Sequence, residues 1–193
     1  MKRKNIITAT VLFFLLSISI STFAQSSRSL VTPFKKGTVT FNAGVGFGTD
    51  YKNEFANSSA LGTKAAFEFG IWPAGPGVIS LGIELGGTTS NRTNKYFDDD
   101  FRAHTLVVAA RSAWHFGWKV RGLDTYAGIS TGAGFHRYAY YDNRHDRITE
   151  DDVIPVVGGF VGVSYFFTPT FGVNAEAGRD ITSLQGGFVF KLR

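Results

Sequence analysis

The chain has 193 residues, which is enough for one domain with a sizeable core. It contains no cysteine, so disulfides, Cys-ligated metal sites and a lipid anchor on an N-terminal cysteine are all excluded. The formal charge is +5, but residues 1–24 carry three basic residues and no acid, so the charge without them is +2. This balance does not point to a nucleic-acid partner.

The N-terminal segment is predicted to be a secretory signal peptide that is cut after Ala24. Its basic start, residues 2–4, is followed by an apolar stretch over about 6–20, and small residues at 22 and 24 precede the cleavage site. A helix retained as a membrane anchor is the alternative, and the cleavage-type ending favours removal.

From Gly37 onward, apolar and polar residues alternate with a period of two, which is typical of strands with one apolar face. Turn-forming residues such as PAGPG (73–77) separate the alternating runs. Eight strands are predicted, at about 37–48, 61–72, 78–88, 102–116, 124–138, 153–166, 170–178 and 184–192. Long and short connections alternate, except that the last one, residues 179–183, is short. These features predict an all-β barrel or sandwich.

The distribution of glycine indicates which face points inward. Most strand glycines fall on the polar face, and only Gly87, Gly159 and Gly186 fall in mid-strand on the apolar face. A narrow eight-stranded lumen has room only for small side chains, whereas a solvated outer face gains nothing from glycine. The many Phe and Leu residues of the apolar face would overfill such a lumen. The apolar face is therefore predicted to point outward, toward lipid.

Aromatic residues form two groups, one at each end of the predicted strands. The group near the short turns is Trp72, Trp114, Phe116, Trp118, Phe166 and Phe167. The group near the long connections is Tyr51, Phe55, Tyr96, Phe97, Phe101, Tyr138, Tyr140 and Tyr141. Two such bands are typical of the girdles of a membrane barrel.

With these features the chain resembles small bacterial outer membrane barrels of the OmpA/OmpX type, the outer membrane protein β-barrel domain family. Its ending, LQGGFVFKLR, is similar to the last strand by which such barrels are recognised for assembly. The resemblance implies an eight-stranded antiparallel up-and-down transmembrane β-barrel over residues 37–193, preceded by a short periplasmic lead, 25–36. It also implies a monomer in the outer membrane that contacts its lipids and, during biogenesis, the barrel assembly machinery.

Several charged residues fall on the inward parity of the predicted strands. Six of them are predicted to form a lumenal charge network: Lys64, Glu68, Glu84, Arg111, Glu176 and Lys191. Charges buried in a lumen are expected to pair, because an isolated charge is expensive to desolvate. Centring the second hairpin on Gly75 places Glu84 opposite Ala66, which makes a Lys64–Glu84 contact plausible. The network is interpreted as a filling of the lumen, and the alternative is a polar pore or a proton-active site.

No motif for catalysis, a cofactor or a metal is evident. Some small outer membrane barrels modify lipid A as deacylases or acyltransferases, and a serine nucleophile of that kind needs an activating histidine. None of the four histidines lies in a His-x-Ser arrangement, although a pair such as His136 and Ser130 could assemble from different strands. The acidic runs DDD (98–100) and EDD (150–152) are interpreted as solvated loops, and a divalent-cation site between outer loops is the alternative.

The sequence therefore favours a non-enzymatic outer membrane protein that supports the envelope or binds a partner through its extracellular loops. The aromatic, charged stretch RYAYYDNRHDRITEDD (137–152) is the expected contact surface. A lipid A-modifying enzyme and a soluble periplasmic barrel carrier are the two alternatives. No nucleic-acid module is present.

Overall fold

Eight β-strands make up most of the residues that the computed structural model describes, which are 33–47, 61–93, 100–141 and 147–193. The strands are Val39–Phe47 (β1), Leu61–Ala74 (β2), Gly77–Thr93 (β3), Asp100–Gly117 (β4), Leu123–Tyr141 (β5), Arg147–Phe166 (β6), Phe171–Gly178 (β7) and Leu184–Lys191 (β8). The predicted signal peptide and the centres of the three long connections lie outside the described residues. Within the described ranges no helix is long and apolar enough to cross a membrane.

The strands form a closed antiparallel barrel in which each strand pairs with its neighbours in chain order. The ring closes between β1 and β8, with a register that runs from Thr40 opposite Lys191 to Phe47 opposite Leu184. Closure satisfies the backbone groups that an open sheet would leave unpaired at its two edges. The predicted fold class, an all-β, eight-stranded up-and-down barrel, is confirmed.

The apolar face of the barrel wall points outward. Large hydrophobic side chains are exposed on β1 to β6 and on β8, among them Val45, Phe67, Ile83, Leu106, Ile129, Val157 and Phe188. The opposite face carries the buried polar and charged side chains. Because side chains alternate between the two faces of a strand, the period of two separates an apolar outside from a polar lumen.

The strands β3 to β6 extend further toward the long connections than the sequence predicts. Cross-strand pairing continues to Thr93 opposite Asp100 and to Tyr141 opposite Arg147. The acidic run EDD (150–152), interpreted above as part of a loop, therefore belongs to β6. One reason is a bidentate ion pair across these strands, in which Arg137 Nε and Nη2 donate to Asp151 Oδ1 and Oδ2 at 2.7 and 3.0 Å.

The hairpin of β2 and β3 has the predicted register over most of its length, with Ala66 opposite Glu84. An irregularity between Gly70 and Trp72 then shifts the pairing by one residue. A bulge of this kind moves the following side chain to the other face of the strand. As a result Trp72 lies on the outer surface, 54% exposed.

The end of the barrel next to the long connections has an uneven rim, because β7 is much shorter than β6. Pairing between them stops at Phe160 opposite Gly178, and beyond this point no described strand pairs with that edge of β6. Arg179 N donates to Gly159 O at 2.8 Å, which shows that odd-numbered β6 residues face this edge. At Pro155 the edge has no N–H, and the N–H of Val153 is already bonded to Asp152 Oδ1 at 2.8 Å. These features protect the edge against pairing with another strand.

The opposite end of the barrel is closed by the residues that precede β1. Phe34 is 1% exposed and stacks on the ring of His115, with centroids 3.7 Å apart. The turn that follows is tied to β2, because Gly37 N donates to Gly70 O at 2.8 Å. The end of the predicted periplasmic lead, residues 33–36, is thus packed against the barrel mouth.

Glycines on the inner face allow the strands and the lumenal side chains to approach closely. A Cβ at Gly82 would lie 2.0 Å from Phe67 O on the adjacent strand, and a Cβ at Gly162 would lie 2.3 Å from the Tyr126 ring. On the outer face, a Cβ at Gly87 meets nothing closer than Thr105 O at 3.5 Å. Glycine is therefore required by space on the inner face, as the sequence analysis argues.

Gly82 and Gly87 provide a matched pair on β3. We expect Gly82→Ala to lower the free energy of unfolding by about 1–3 kcal/mol, because the added methyl must displace the backbone of β2. Gly87→Ala should leave stability unchanged or raise it slightly. Urea unfolding of both variants in detergent micelles, followed by tryptophan fluorescence, measures the difference. Equal effects of the two substitutions would contradict the assignment of the inner face.

Candidate functional site: the lumenal charge network

The buried charges of the barrel meet in the middle of the lumen. Lys64 and Glu68 lie on β2, Glu84 on β3, Arg111 on β4 and Glu176 on β7, and each is at most 3% exposed. All five point inward because each lies on the parity opposite to the exposed apolar residues of its strand. Five of the six residues predicted for the network are thereby brought together.

Arg111 is the centre of the network. Its Nη2 lies 3.2 Å from Glu68 Oε1 and 3.0 Å from Glu176 Oε2, and its Nη1 lies 3.2 Å from Glu84 Oε2. The planar guanidinium can serve several carboxylates at once, which a lysine ammonium does less well. Its Cζ lies 4.0 Å from the centroid of the Phe160 ring, a cation–π contact. The Arg111 side chain thus joins carboxylates from β2, β3 and β7 and packs on an aromatic ring of β6.

Lys64 holds the other side of the network. Its Nζ donates to Glu176 and, at 2.5 Å, to Asp180 Oδ2. Glu84 Oε2 is further away, at 3.8 Å, so the predicted Lys64–Glu84 pair is present but is not the main contact of either residue. The nearer cation for Glu84 is Arg111.

His115 extends the network toward the short turns. Its Nδ1 lies 2.8 Å from Asp124 Oδ2 and its Nε2 lies 3.1 Å from Glu68 Oε2. Glu68 also accepts a hydrogen bond from Ser80 Oγ at 2.6 Å. An imidazole between two carboxylates can donate to both when it is protonated, so this arrangement links Asp124 to the central cluster.

A short plug from the β7–β8 connection completes the filling of the lumen, and the sequence analysis does not predict it. Asp180 and Ile181 are 1% and 0% exposed, and Ile181 packs in an apolar cluster with Val107, Ala109 and Val156. A Cβ at Gly86 would lie 2.6 Å from Ile181, so this glycine makes room for the plug. The available signal is an isoleucine beside an aspartate in a connection too short to form an exposed loop.

Lys191, the sixth predicted member, lies apart from the central cluster. Its Nζ donates to Pro33 O at 2.5 Å and lies 4.7 Å from the centroid of the Phe166 ring. Both contacts are at the short-turn end of the lumen, where β8 ends and the end of the lead packs against the barrel. Lys191 therefore binds the lead rather than the glutamates of the predicted network.

The aromatic girdle near the short turns contains five of the six predicted residues. Four of these are exposed on the outer surface, namely Trp72, Trp114, Trp118 and Phe167. The fifth, Phe116, packs between Trp114 and Trp118. Phe166 was assigned to this girdle, and that assignment is wrong. It is 8% exposed and faces the lumen, because β6 keeps strict alternation to its end and Tyr165 takes the outer position. The predicted aromatic group near the long connections lies outside the residues whose side chains are described.

The described histidines do not form the pair considered in the sequence analysis. His136 and Ser130 both lie on β5, so they are not brought together from different strands. Nδ1 of His136 lies 2.8 Å from Thr105 Oγ1, its cross-strand neighbour, whereas Ser130 lies opposite Arg111 and Gly158. His104 lies 3.2 Å from Thr89 Oγ1 on the outer surface. Among the described side chains, no group of three or more His, Asp or Glu is arranged to hold a metal ion. The geometry on hand is that of a structural ion-pair network.

The network predicts strong coupling between Lys64 and Asp180. Lys64→Met alone leaves two buried carboxylates without their lysine and should lower the free energy of unfolding by about 3–5 kcal/mol. Adding Asp180→Asn should recover part of the lost stability, because the double variant leaves one buried carboxylate fewer without its cation. The control is Arg137→Met, which breaks an exposed pair and should have little effect. A double-mutant cycle by urea unfolding tests the coupling, and simple additivity would show that the two residues do not interact.

No family model and no curated protein matches this chain. Solved structures with a similar fold include the attachment invasion locus protein Ail of Yersinia pestis, in complex with the heparin analogue sucrose octasulfate, at 11% identity and a TM-score of 0.45, over 80% of this chain and 93% of Ail. Neisserial surface protein A is similar at 10% identity and a TM-score of 0.45, over 80% and 92% of the two chains. The N-terminal β-barrel domain of Pseudomonas aeruginosa OprF is similar at 14% identity and a TM-score of 0.46, over 82% and 98%.

Proposed function

We propose that this chain is an integral outer membrane β-barrel with a closed lumen and a non-enzymatic role in the envelope. The observation that carries the proposal is the outward apolar surface of a closed barrel whose described charged side chains point inward or lie near its ends. Monomeric soluble proteins rarely expose continuous apolar surface on this scale. A lipid environment removes that difficulty, because the outer side chains then contact acyl chains.

The height of the apolar surface supports a membrane location. On β3, β4 and β5 the outward stretches that are apolar, apart from Ser112 and Thr131, run over 79–87, 106–114 and 127–135. Each is about as long as the 9–11 residues that a tilted transmembrane strand needs. The stretches end at the indole girdle on one side and at outward polar residues, such as His104 and Arg137, on the other. This is the arrangement expected of a strand that crosses a bilayer.

The filled lumen argues against a soluble carrier and against a channel. A carrier needs an internal cavity lined by apolar side chains, whereas here the lumen holds a buried ion-pair network. Lys64, Arg111 and the plug of Asp180 and Ile181 occupy its centre, and Phe34 closes the short-turn end. These carboxylates are engaged by cations of the wall, which supports a structural role for them rather than a catalytic one.

The remaining parts of the proposal concern export and binding. Residues 1–24 would direct secretion. The last strand, β8, would be recognised by the barrel assembly machinery, and its outward Phe188 and Phe190 would face lipid. The strands β3 to β6 rise above the rest of the barrel, and the connections that join them would be the extracellular surface for a partner. The protein would work as a monomer without a cofactor.

Integration into a membrane predicts slow unfolding by detergent. Unheated protein in a dodecyl sulfate gel should migrate differently from boiled protein, because a closed hydrogen-bonded barrel resists the detergent. Cell fractionation should place the mature chain with the outer membrane and not with the soluble periplasmic fraction. Recovery as a soluble periplasmic protein, without detergent, would support the carrier instead.

The closed lumen predicts that the barrel does not conduct ions. Folded protein reconstituted into planar bilayers should give no steady single-channel current. The comparison variant is Arg111→Ala, which removes the side chain at the centre of the lumen. If any variant conducts ions, we expect it to be this one. Regular current steps recorded with the unmodified protein, with a different size in the Arg111→Ala variant, would show that ions pass through the lumen. The closed-lumen proposal would then fail.

A further inference from the structure

Among the described side chains, the short-turn end of the barrel exposes cations and no acid. Lys35, Lys36, Lys119 and Arg121 are all exposed, and together they are called the basic rim. The acid nearest this end among the described side chains is Asp124, which is 2% exposed and bonded to His115. The opposite end differs, since Glu150, Asp151 and Asp152 are exposed there. The described surface thus has a positive end and an acid-bearing end.

Backbone contacts hold Lys35 and Lys36 in a defined turn. Thr38 N donates to Lys35 O at 2.9 Å, and Lys35 N donates to Thr38 Oγ1 at 3.0 Å. Gly37 has φ +84°, a conformation that L side chains rarely adopt. The turn therefore fixes the backbone at Lys35 and Lys36, and both side chains are exposed.

Lys119 and Arg121 lie in the turn between β4 and β5, which is also fixed. Gly122 has φ +87°, and its carbonyl accepts a hydrogen bond from Phe166 N at 2.8 Å. In this turn the two cations alternate with Trp118 and Val120, which are 45% and 52% exposed. Apolar side chains and cations are thus presented side by side.

The position of the tryptophans relates the basic rim to the lipid surface. The chain has three tryptophans, Trp72, Trp114 and Trp118, and all lie at this end on the outer surface. Indole rings prefer the level of a bilayer where acyl chains meet headgroups. Cations directly beyond such a girdle lie at the level of the headgroup phosphates.

We propose that the basic rim binds the headgroups of anionic phospholipids in the leaflet that surrounds the short-turn end. Lys35, Lys36, Lys119 and Arg121 would contact the phosphates and anionic headgroups, while Trp118 and Val120 contact the acyl chains. The basic rim matches anionic headgroups in charge. It also matches them in depth, because the cations lie next to the indole girdle. This inference rests on the proposed function, since the rim meets lipid only if the barrel lies in a membrane.

The tryptophans provide the measurement, because they report the lipids next to this rim. The full mature chain is reconstituted into phosphatidylcholine vesicles that contain increasing fractions of phosphatidylglycerol, and one or the other lipid carries brominated acyl chains, which quench indole fluorescence. The ratio of the two quenching curves gives the relative affinity of the rim for the anionic lipid. We expect a preference of about threefold or more at low salt, which falls toward one in 0.5 M salt as the charges are screened.

Charge-matched variants assign the preference to the rim. The variant Lys35→Gln, Lys36→Gln, Lys119→Gln, Arg121→Gln should lose the preference for phosphatidylglycerol while quenching by phosphatidylcholine persists. The control neutralises four arginines near the long connections, namely Arg92, Arg102, Arg137 and Arg147. It changes the net charge equally and should keep the preference. If the fourfold rim variant does not fold, the pairs at 35/36 and 119/121 are neutralised separately, and each should lose part of the preference.

The outcomes separate this inference from the proposed function. Equal quenching by both lipids in the unmodified protein would overturn the inference and leave the membrane location intact. An unchanged preference in the folded rim variants would overturn it as well, and would assign the preference to other residues. Quenching by neither lipid in protein that passes the gel test for folding would contradict the membrane location itself.

Discussion

The mutual dependence of buried charges in a narrow lumen is the constraint on which the rest of this structure rests. Arg111 and Lys64 are held away from water, and each is stable there only because carboxylates from several strands surround it. The same contacts join β7 to β2, β3 and β4 across the barrel, although β7 shares no backbone hydrogen bonds with these strands. A network of this kind restricts the relative positions of the strands more tightly than apolar filling would, because every member must keep its partners.

The narrowness of the lumen has consequences for both ends of the barrel. Glycines such as Gly82 and Gly86 let strands and the plug approach to distances that a Cβ would prevent. The connection between β7 and β8 turns inward to supply Asp180 and Ile181, and as a result these two strands are short and β6 rises beyond them with an edge that no described strand pairs with. Pro155 and the bond from Val153 N to Asp152 keep that edge from pairing. The filling of the lumen and the uneven rim therefore have one cause.

The outer surface divides along the barrel axis into regions of different chemistry. An apolar band of about nine residues per strand is bordered by indoles at one end and by outward polar side chains at the other. Beyond the indoles lie exposed lysines and an arginine, and at the far end lie exposed acids paired in part with Arg137. Such a distribution gives the barrel a preferred depth in a bilayer and different electrostatic surroundings at its two ends.

The sequence by itself determined that there are eight strands, the face of most of their residues and the register of the β2–β3 hairpin as far as the irregularity at Gly70. These features follow from local rules, since a period of two, turn residues and a symmetric hairpin involve neighbours along the chain. It also identified Lys64, Glu68, Glu84, Arg111 and Glu176 as lumenal. Only the tertiary structure decided which charges meet, because Arg111 on β4 and Glu176 on β7 are separated along the chain by the long β5–β6 connection, across which local rules do not set the register. The inward position of Phe166 follows from the strict alternation along β6, whereas the plug of Asp180 and the separate contacts of Lys191 were decided by closure of the ring, which brings distant residues to one level of the lumen.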